Sequence, residues 1–124
     1  MEFFEQFVWQ SVILFPVRVR LSGGSTANEG NVEALSFSGQ WGGICDDDWD
    51  IKDAKVVCKM LGYSSADAYF TEARFGYNNF GNSFILDNLQ CTGSESSIFD
   101  CRHPGEFSHD CESNEIAGVR CTPL

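Results

Sequence analysis

Apolar and polar positions alternate in the first regular segments of the chain. Residues 17–21 have the sequence Val-Arg-Val-Arg-Leu, a period of two that is typical of a strand with one buried face. On a second candidate strand, Val32, Ala34 and Ser36 share one face. A Ser-Gly pair then reverses the chain into residues 40–45, so the pattern predicts a β-hairpin.

The next segment changes to the period of an α-helix. An apolar stripe with the spacing i, i+3, i+4 and i+7 runs through residues 54–61 and includes Cys58, which is therefore expected to face inward. Asp50 is the predicted N-cap, and Asp53 adds negative charge to the first turn. Gly62 is expected to end the helix in the left-handed conformation.

The rest of the chain shows weaker signals. A short helical turn is predicted at residues 94–101, with Ser94 as its cap and with Ile98 and Cys101 on one side. Residues 63–83 are rich in Gly, Asn and Tyr and are predicted to form long loops. Because helices and antiparallel strands do not alternate strictly, the predicted class is α+β.

The composition indicates one folded domain whose net charge does not by itself attract polyanions. A chain of 124 residues with 43% hydrophobic residues has enough apolar surface for a core of its own. Its net charge of -10 argues against unaided attraction to nucleic acid or to anionic membranes.

The cysteine pattern favours disulfides over a zinc site. The six cysteines stand at positions 45, 58, 91, 101, 111 and 121, and none of them forms a C-x-x-C pair. Structural zinc sites usually draw their ligands from such short pairs, so the pattern predicts disulfides and an oxidising compartment. Spacing alone leaves the connectivity open among all the pairings that six cysteines allow.

Residues 1–16 form an apolar N-terminal extension outside these elements. The apolar run from Phe7 to Phe15 is shorter than the roughly 20 residues of a membrane span, and Glu2 and Glu5 stand where a signal peptide has positive charge. The extension is therefore interpreted as a cloning remnant or the trimmed end of a longer chain. The alternative is an apolar arm that docks on this domain or on a neighbour, and such an arm would promote self-association.

Three consecutive carboxylates, Asp46, Asp47 and Asp48, lie between Cys45 and Trp49. Adjacent like charges repel one another, so the run needs either full solvation or a cation. One interpretation is a solvated acidic loop ahead of a helix whose N-terminus favours negative charge. The other is a metal site.

Six sequence motifs, in this order, resemble the scavenger receptor cysteine-rich family. They are VRVRLSGG at residues 17–24, G-x-V-E at 30–33, WGGICDDDWD at 41–50, DAKVVCKMLGY at 53–63, LDNLQCTGSE at 86–95 and AGVRC at 117–121. The resemblance implies that residues 17–124 form one such domain, a curved antiparallel sheet that cradles one main helix and carries long loops. Six cysteines resemble the group A form, which implies three disulfides, Cys45 with Cys111, Cys58 with Cys121 and Cys91 with Cys101.

The resemblance also implies a calcium site. In many family members two Asp after the first cysteine and a Glu of the last motif bind the ion, and these correspond to Asp46, Asp47 and Glu115. Calcium takes six to eight oxygen ligands, and the implied bridge from Cys45 to Cys111 would hold the two segments together. Because neighbours in a strand point to opposite faces, Asp46 and Asp47 share an ion only if the chain leaves the strand at Asp46.

Three further residues are candidates for ligand contacts. Asp87 and Asn88 are either a second, weaker ion site or ligand edge, or simply a turn. Arg74, in the predicted long loop, is the best-placed arginine for contact with an anionic ligand.

The sequence departs from the family pattern at several positions. Where the family usually has His and Asp in its last motif, this chain has Ser113 and Ile116, and a usual Trp-Gly pair is Glu106-Phe107. Gly43 stands where Thr is common. The change at Ile116 leaves open whether an Asp ligand of the ion site is missing.

Catalysis is not expected. No serine stands in a nucleophile-elbow motif, paired cysteines leave no free thiol, and His103 and His109 match family positions in a loop that they are expected to organise.

The sequence predicts a secreted module, or the extracellular part of a membrane protein, that binds anionic polymers or glycoconjugates through a Ca²⁺-dependent surface. Neither nucleic-acid specificity nor a membrane span is expected. The alternative is a protein-binding adhesion or accessory module of a larger receptor or extracellular protease, in which calcium is structural or absent.

Overall fold

The computed structural model describes residues 18–124, so the predictions for residues 1–16 lie outside the described part. The elements are β1 (Val19–Gly23), β2 (Glu29–Leu35), β3 (Trp41–Ile44), α1 (Ile51–Met60), β4 (Ala66–Phe70), β5 (Phe84–Leu86) and β6 (Gly118–Cys121), with a 3₁₀ helix at Ile98–Asp100 before β6. The α+β class is confirmed, since one helix packs against a curved sheet that resembles a half-barrel.

The sheet is mixed, with the strand order β4-β6-β2-β3-β5 and with β1 on the other edge of β2. One edge of β2 is divided, because residues 29–31 pair with β6 and residues 33–35 pair with β3. The pairs of named strands are antiparallel, as the resemblance implies, except that β3 and β5 pair in parallel. Residues 45–83, which include α1, separate these two strands, and this length is ample for the crossover that parallel pairing needs.

The predicted hairpin is confirmed in β2 and β3, which pair in antiparallel register from Glu33 opposite Gly43 to Leu35 opposite Trp41. The turn is closed by the Gly39 N–H, which donates to the Ser36 carbonyl at 3.0 Å. Gly39 has φ +90°, a conformation that side-chain-bearing residues rarely adopt.

Helix α1 begins and ends as its sequence predicts. The Asp50 side chain accepts from the Lys52 and Asp53 backbone N–H groups, and the Asp53 side chain accepts in return from the Asp50 N–H, a reciprocal capping box. The helix ends before Gly62, which has φ +94°. Cys58 is fully buried and bonds to Cys121 on β6, so the disulfide ties the helix to the sheet.

The core lies between α1 and the inner face of the sheet. Fully buried apolar residues of this core include Val32, Ala34, Ile44, Val57, Leu86, Ile98 and Val119. Beside the Cys58–Cys121 bridge, the structure contains Cys45–Cys111 and Cys91–Cys101, which is the pairing that the resemblance implies.

The predicted cap of the short helical turn is wrong. Ser97, not Ser94, caps the 3₁₀ helix, because its side chain accepts from the Phe99 N–H. Ser94 instead lies within a loop in which the Glu95 carboxylate accepts from the Thr92 and Gly93 N–H groups. These hydrogen bonds lower the pKa of Glu95 to about 2.

The prediction of loops throughout residues 63–83 is also wrong, since β4 lies within this segment and pairs with β6. The rest of this segment covers the outer, polar face of the sheet. There the carboxylate of Glu33, which is only 2% exposed, accepts from the Arg20 Nε at 2.8 Å, the Ser22 Oγ at 2.9 Å and the Asn79 Nδ2 at 2.9 Å. Burial of polar side chains on this face depends on a segment about 45 residues away in sequence, which no local pattern signals.

Candidate metal and ligand site

An acidic turn begins where β3 ends. The strand stops at Ile44, and the Asp46 N–H donates to the Glu115 carbonyl at 2.9 Å. The Trp49 N–H then donates to the Asp46 carbonyl at 3.1 Å, which closes a turn over residues 46–49. The chain has therefore left the strand at Asp46, as a shared ion requires.

Asp46, Asp47 and Glu115 line one open cleft of about 580 Å³. The two segments are held together by the Cys45–Cys111 bridge next to Asp46 and by the Asp46–Glu115 backbone hydrogen bond. The structure thus brings together the three residues that the resemblance implied, although Glu115 is far from Asp46 and Asp47 along the chain. Asp48 is exposed and has φ +63°.

Four further residues line the cleft and were missed from the sequence: Thr71, Glu72, Tyr77 and Asn114. Asn114 precedes Glu115, and its position beside a candidate ligand was a signal that could have found it. Thr71, Glu72 and Tyr77 belong to the segment after β4, which was predicted as loop without a location. The Glu72 N–H donates to the Asp46 carboxylate at 2.8 Å, so this segment forms one wall of the cleft.

Carboxylates face one another around the cleft. Burial raises the pKa of Asp46, and the neighbouring charges of Glu115 and Glu72 raise it further, against the lowering effect of the Glu72 N–H. Within residues 18–124, the salt bridges join Arg18 to Glu106, Arg20 to Glu33 and Arg120 to Glu29, and none of them reaches the cleft. Residues 1–17 contain no Lys or Arg side chain. The cleft therefore carries negative charge that no side chain of the described part neutralises.

A second acidic group adjoins the first at Asp47. Burial raises the pKa of Asp47 to about 6, and the carboxylates of Asp87 and Asp110 add to the effect. Oxygens of Asp47 and Asp87 lie within 4.8 Å of each other and of the sulfurs of Cys45 and Cys111. A disulfide sulfur is no metal ligand, because it is the thiolate that binds metals, so this group offers two carboxylates rather than four ligands.

The donor chemistry of the cleft fits a hard cation such as Ca²⁺. Its donors are carboxylate, amide and hydroxyl oxygens, which are the ligands that calcium prefers. Within residues 18–124, some groups of His, Cys, Asp and Glu have all their ligand atoms within 4.8 Å of one another. Asp46 and Glu115 belong to none of these groups. The predicted three carboxylates thus form an open arrangement rather than a closed cage.

The sequence matches the model of the scavenger receptor cysteine-rich domain over residues 22–122. The chain belongs to this family. It is 48% identical over 106 residues to a scavenger receptor cysteine-rich domain superfamily protein of Patiria pectinifera, covering 86% of this chain and 9% of the relative. It is 41% identical over 104 residues to galectin-3-binding protein of Pongo abelii, covering 84% of this chain and 17% of the relative. The chain therefore spans less than a fifth of the length of these relatives.

Solved structures of the family share the fold. The third SRCR domain of murine neurotrypsin is 41% identical, with a TM-score of 0.74, and the match covers 86% of this chain and 96% of that one. The dimeric form of the SRCR domain of mouse MARCO is 42% identical, with a TM-score of 0.68 over 84% of this chain and 94% of that one. Domains of this family are extracellular modules of secreted or membrane proteins. In residues 18–124, no helix has the length and apolar character needed to cross a membrane.

Two departures from the family pattern meet in space. Ile116, which replaces the family Asp, is fully buried beside Phe84 and the Cys45–Cys111 bridge and is not among the residues that line the cleft. A Cβ atom at Gly43 would lie 2.9 Å from the Ile116 Cδ1. Gly43 therefore leaves the room that the Ile116 side chain occupies. The two departures are thus matched to each other within the core.

Asp87 and Asn88 do not act as one unit. Asp87 is buried, and burial raises its pKa, while Asn88 is exposed and has φ +50°. The Asn88 N–H donates to the Asp87 carboxylate at 2.7 Å, the local hydrogen bond of a turn. Asp87 faces Asp47 instead, so this pair, rather than Asp87 with Asn88, extends the acidic group.

The remaining candidates lie outside the cleft. His103 Nδ1 accepts from the Gly105 N–H and His109 Nδ1 from the Cys111 N–H, both at 3.0 Å, in line with the predicted loop-organising role. Arg74 is exposed and lies beside Phe70, with its guanidinium carbon 5.1 Å from the centre of the ring.

Proposed function

We propose that this domain is an extracellular binding module, not an enzyme, and that it holds anionic ligands through a calcium ion in the cleft of Asp46, Asp47 and Glu115. The observation that carries the proposal is the convergence of three carboxylates from two distant segments on one open cleft. Their charge has no basic partner among the described residues. Such a cluster is stable when a cation offsets its repulsion.

The candidate ligands of the ion come from two segments of the chain. Asp46 and Asp47 come from the turn after β3, and Glu115 approaches from the segment before β6, so the ion would be held from two sides. The Glu112 N–H donates to the Glu115 carboxylate at 2.8 Å, which orients that side chain. A bound calcium ion supplies open coordination positions for a sulfate, phosphate or carboxylate of the ligand. A domain with a net charge of -10 would otherwise repel such groups.

Calcium binding can be measured by calorimetric titration of wild type, Asp47→Ala and Glu115→Gln. We expect a dissociation constant of about 0.1 to 1 mM for wild type, in the range of extracellular calcium modules. Glu115→Gln should weaken binding by about tenfold or more, because two adjacent carboxylates cannot surround the ion alone. Asp48→Asn is the matched control, since it removes one negative charge from the same turn and Asn tolerates the positive φ. Equal heats for all four proteins would reject the site.

Ligand binding is then measured with a sulfated polysaccharide, dextran sulfate, immobilised on a sensor surface. Binding in 2 mM calcium, about twice the upper end of the expected range of dissociation constants, should disappear when a chelator is added. It should also disappear in Glu115→Gln and persist in Asp48→Asn. If the chelator leaves dextran sulfate binding unchanged, the ligand does not bind through calcium.

A second candidate function is a protein-binding accessory module. Phe37 is 79% exposed and Phe107 is 43% exposed, and Phe107 has φ +65°, which is unusual for an aromatic residue. The Arg18 guanidinium lies between the rings of Phe37 and Phe99, 3.8 and 3.6 Å from their centres. Exposed aromatics with an ordered arginine are typical of protein interfaces. Loss of a protein ligand in Phe37→Ser, with dextran sulfate binding unchanged, would favour this function.

A further inference from the structure

Tyr77 is an exposed aromatic residue on the rim of the acidic cleft. It is 70% exposed and lines the cleft together with six polar or charged residues. Within residues 18–124, the aromatic pairs and the cation–π contacts do not include its ring. A single exposed aromatic residue is common on protein surfaces. Tyr77 differs from such a residue in how firmly its loop is held.

The backbone on both sides of Tyr77 is fixed by buried asparagines. Asn31 of β2 donates from its Nδ2 to the Gly76 carbonyl at 2.7 Å. Asn78 is also buried and donates from its Nδ2 to the Ser83 carbonyl at 2.8 Å. A buried amide that lost such a bond would remain unsatisfied, which is unfavourable, so the loop is held in one conformation. Tyr77 is therefore an exposed side chain on a rigid part of the chain.

The same loop is tied to the segment that carries Glu115. The Asn78 N–H donates to the Ser113 carbonyl at 2.8 Å, and the Ser113 N–H donates to the Asn82 Oδ1 at 2.8 Å. Ser113 is two residues before Glu115, one of the three candidate ligands of the ion. The backbone of Tyr77 and the candidate ion site therefore keep a fixed relation. A ligand held by the ion can contact the ring with little loss of loop entropy.

The lining of the cleft suits a sugar ring. A pyranose has hydroxyl groups along its edge and an apolar face of C–H groups. The Thr71 hydroxyl and the Asn114 amide can form hydrogen bonds with such an edge, and the Tyr77 ring offers an apolar surface to such a face. The cleft volume of about 580 Å³ is within the usual range of small-ligand sites. An aliphatic side chain of a peptide would have Tyr77 as its one apolar contact, because the other six lining residues are polar or charged.

We propose that Tyr77 is a stacking platform for a sugar ring of the ligand, so that the cleft selects anionic glycans over polyanions that lack a sugar. The inference rests on the proposed function, since it identifies the group that carries the anion held by the ion. In this arrangement the anionic substituent binds the ion, and the C–H face of the same or the adjacent sugar packs on Tyr77.

The test compares two polymers that carry the same anionic group, dextran sulfate, which is built of sugars, and polyvinyl sulfate, which is not. The full chain is studied in calcium as wild type, Tyr77→Ala and Tyr77→Phe, with Tyr69→Ala as the control. Tyr69 is 45% exposed and lies on β4, outside the lining of the cleft. We expect Tyr77→Ala to weaken dextran sulfate binding by about three- to tenfold, the size of an aromatic stacking contact, and to leave polyvinyl sulfate binding unchanged. Tyr77→Phe keeps the ring and should bind both polymers as wild type does.

Several results would overturn the platform. Equal losses of the two polymers in Tyr77→Ala would show that the residue does not recognise a sugar. A loss in Tyr77→Phe as large as in Tyr77→Ala would assign the contact to the hydroxyl group instead of the ring. An effect of Tyr69→Ala equal to that of Tyr77→Ala would show that the contact is not specific to the cleft.

The outcomes also separate this inference from the calcium site. Calcium heats should be the same in all four proteins, because Tyr77 is not a proposed ligand of the ion. If calcium titration is silent but dextran sulfate binding still depends on the Tyr77 ring, the calcium site fails and the platform stands. If dextran sulfate binding depends on calcium but not on Tyr77, the platform is overturned and the calcium site stands.

Discussion

Asp53 is the residue whose replacement tests the account of the fold most directly. Its side chain is fully buried and accepts two backbone N–H groups, one from Asp50 at 2.8 Å and one from Cys91 at 2.8 Å. The first bond completes the helix cap, and the second anchors the segment that carries the Cys91–Cys101 bridge. One carboxylate therefore joins α1 to a loop 38 residues further along the chain.

Asp53→Ala leaves both donors without an acceptor. An unsatisfied buried donor costs about 1 to 3 kcal/mol, and the Asp50 N–H is only partly buried, so the expected loss is about 2 to 4 kcal/mol. That is a large part of the stability of a small domain, and it corresponds to a fall in Tm of about 8 to 20 °C. Asp53→Asn keeps one acceptor oxygen but turns an NH₂ group toward the other donor, so it should cost less than Asp53→Ala.

The pH dependence gives a second readout. Burial raises the pKa of Asp53 to about 7, and the charge of Asp50 acts in the same direction, against the two N–H donors. A carboxyl with a raised pKa in the folded state holds its proton more tightly there than in the unfolded chain. Its contribution to stability is therefore full below about pH 4 and is lost as pH rises toward 7. The cost of Asp53→Asn, which does not titrate, should be larger at pH 4.5 than at pH 8.

Urea unfolding under non-reducing conditions measures both effects, at pH 4.5 and at pH 8. Asp100→Ala is the control, because it removes a carboxylate from an exposed position and should change stability by less than about 0.5 kcal/mol. An Asp53→Ala protein as stable as the control would refute the two-donor account. A cost of Asp53→Asn that is the same at both pH values would refute the raised pKa.

Other changes probe the sheet and the N-terminal extension. Gly43→Ala should lower the free energy of unfolding by about 1 to 3 kcal/mol, because the added methyl group overpacks against Ile116. The loss should be clearly smaller in an Ile116→Val background, and equal losses in this double-mutant cycle would contradict the contact. Glu33→Gln should cost about 1 to 3 kcal/mol in urea unfolding, because its amide meets hydrogen-bond donors, and a neutral result would show that the network is not needed. Removal of residues 1–16 should leave the fold intact in thermal unfolding and reduce self-association in sedimentation, and a truncated chain that fails to fold would contradict this.

The local elements could be predicted because their causes lie within a few residues of one another. The capping box, the apolar stripe and Gly62 specify α1 by contacts inside one segment, and the Ser-Gly turn specifies the β2–β3 hairpin in the same way. The motifs also identified the family and hence the disulfide pairing, which spacing alone did not. The mutual repulsion of the three consecutive carboxylates at residues 46–48 could also be recognised from adjacent residues alone.

Tertiary structure decided the features that join distant segments. Strand β4 pairs with β6 across about fifty residues, and its sequence, with Asp67 among small and aromatic residues, has no clear alternation. The burial of Glu33 and Asp53 depends on donors that arrive from elsewhere in the chain, and composition alone would place both carboxylates in water. The wall of the cleft formed by Thr71 and Glu72 has the same origin. Propensity and periodicity report what a residue's neighbours in sequence favour, whereas these positions were determined by partners that only the folded chain brings within hydrogen-bond distance.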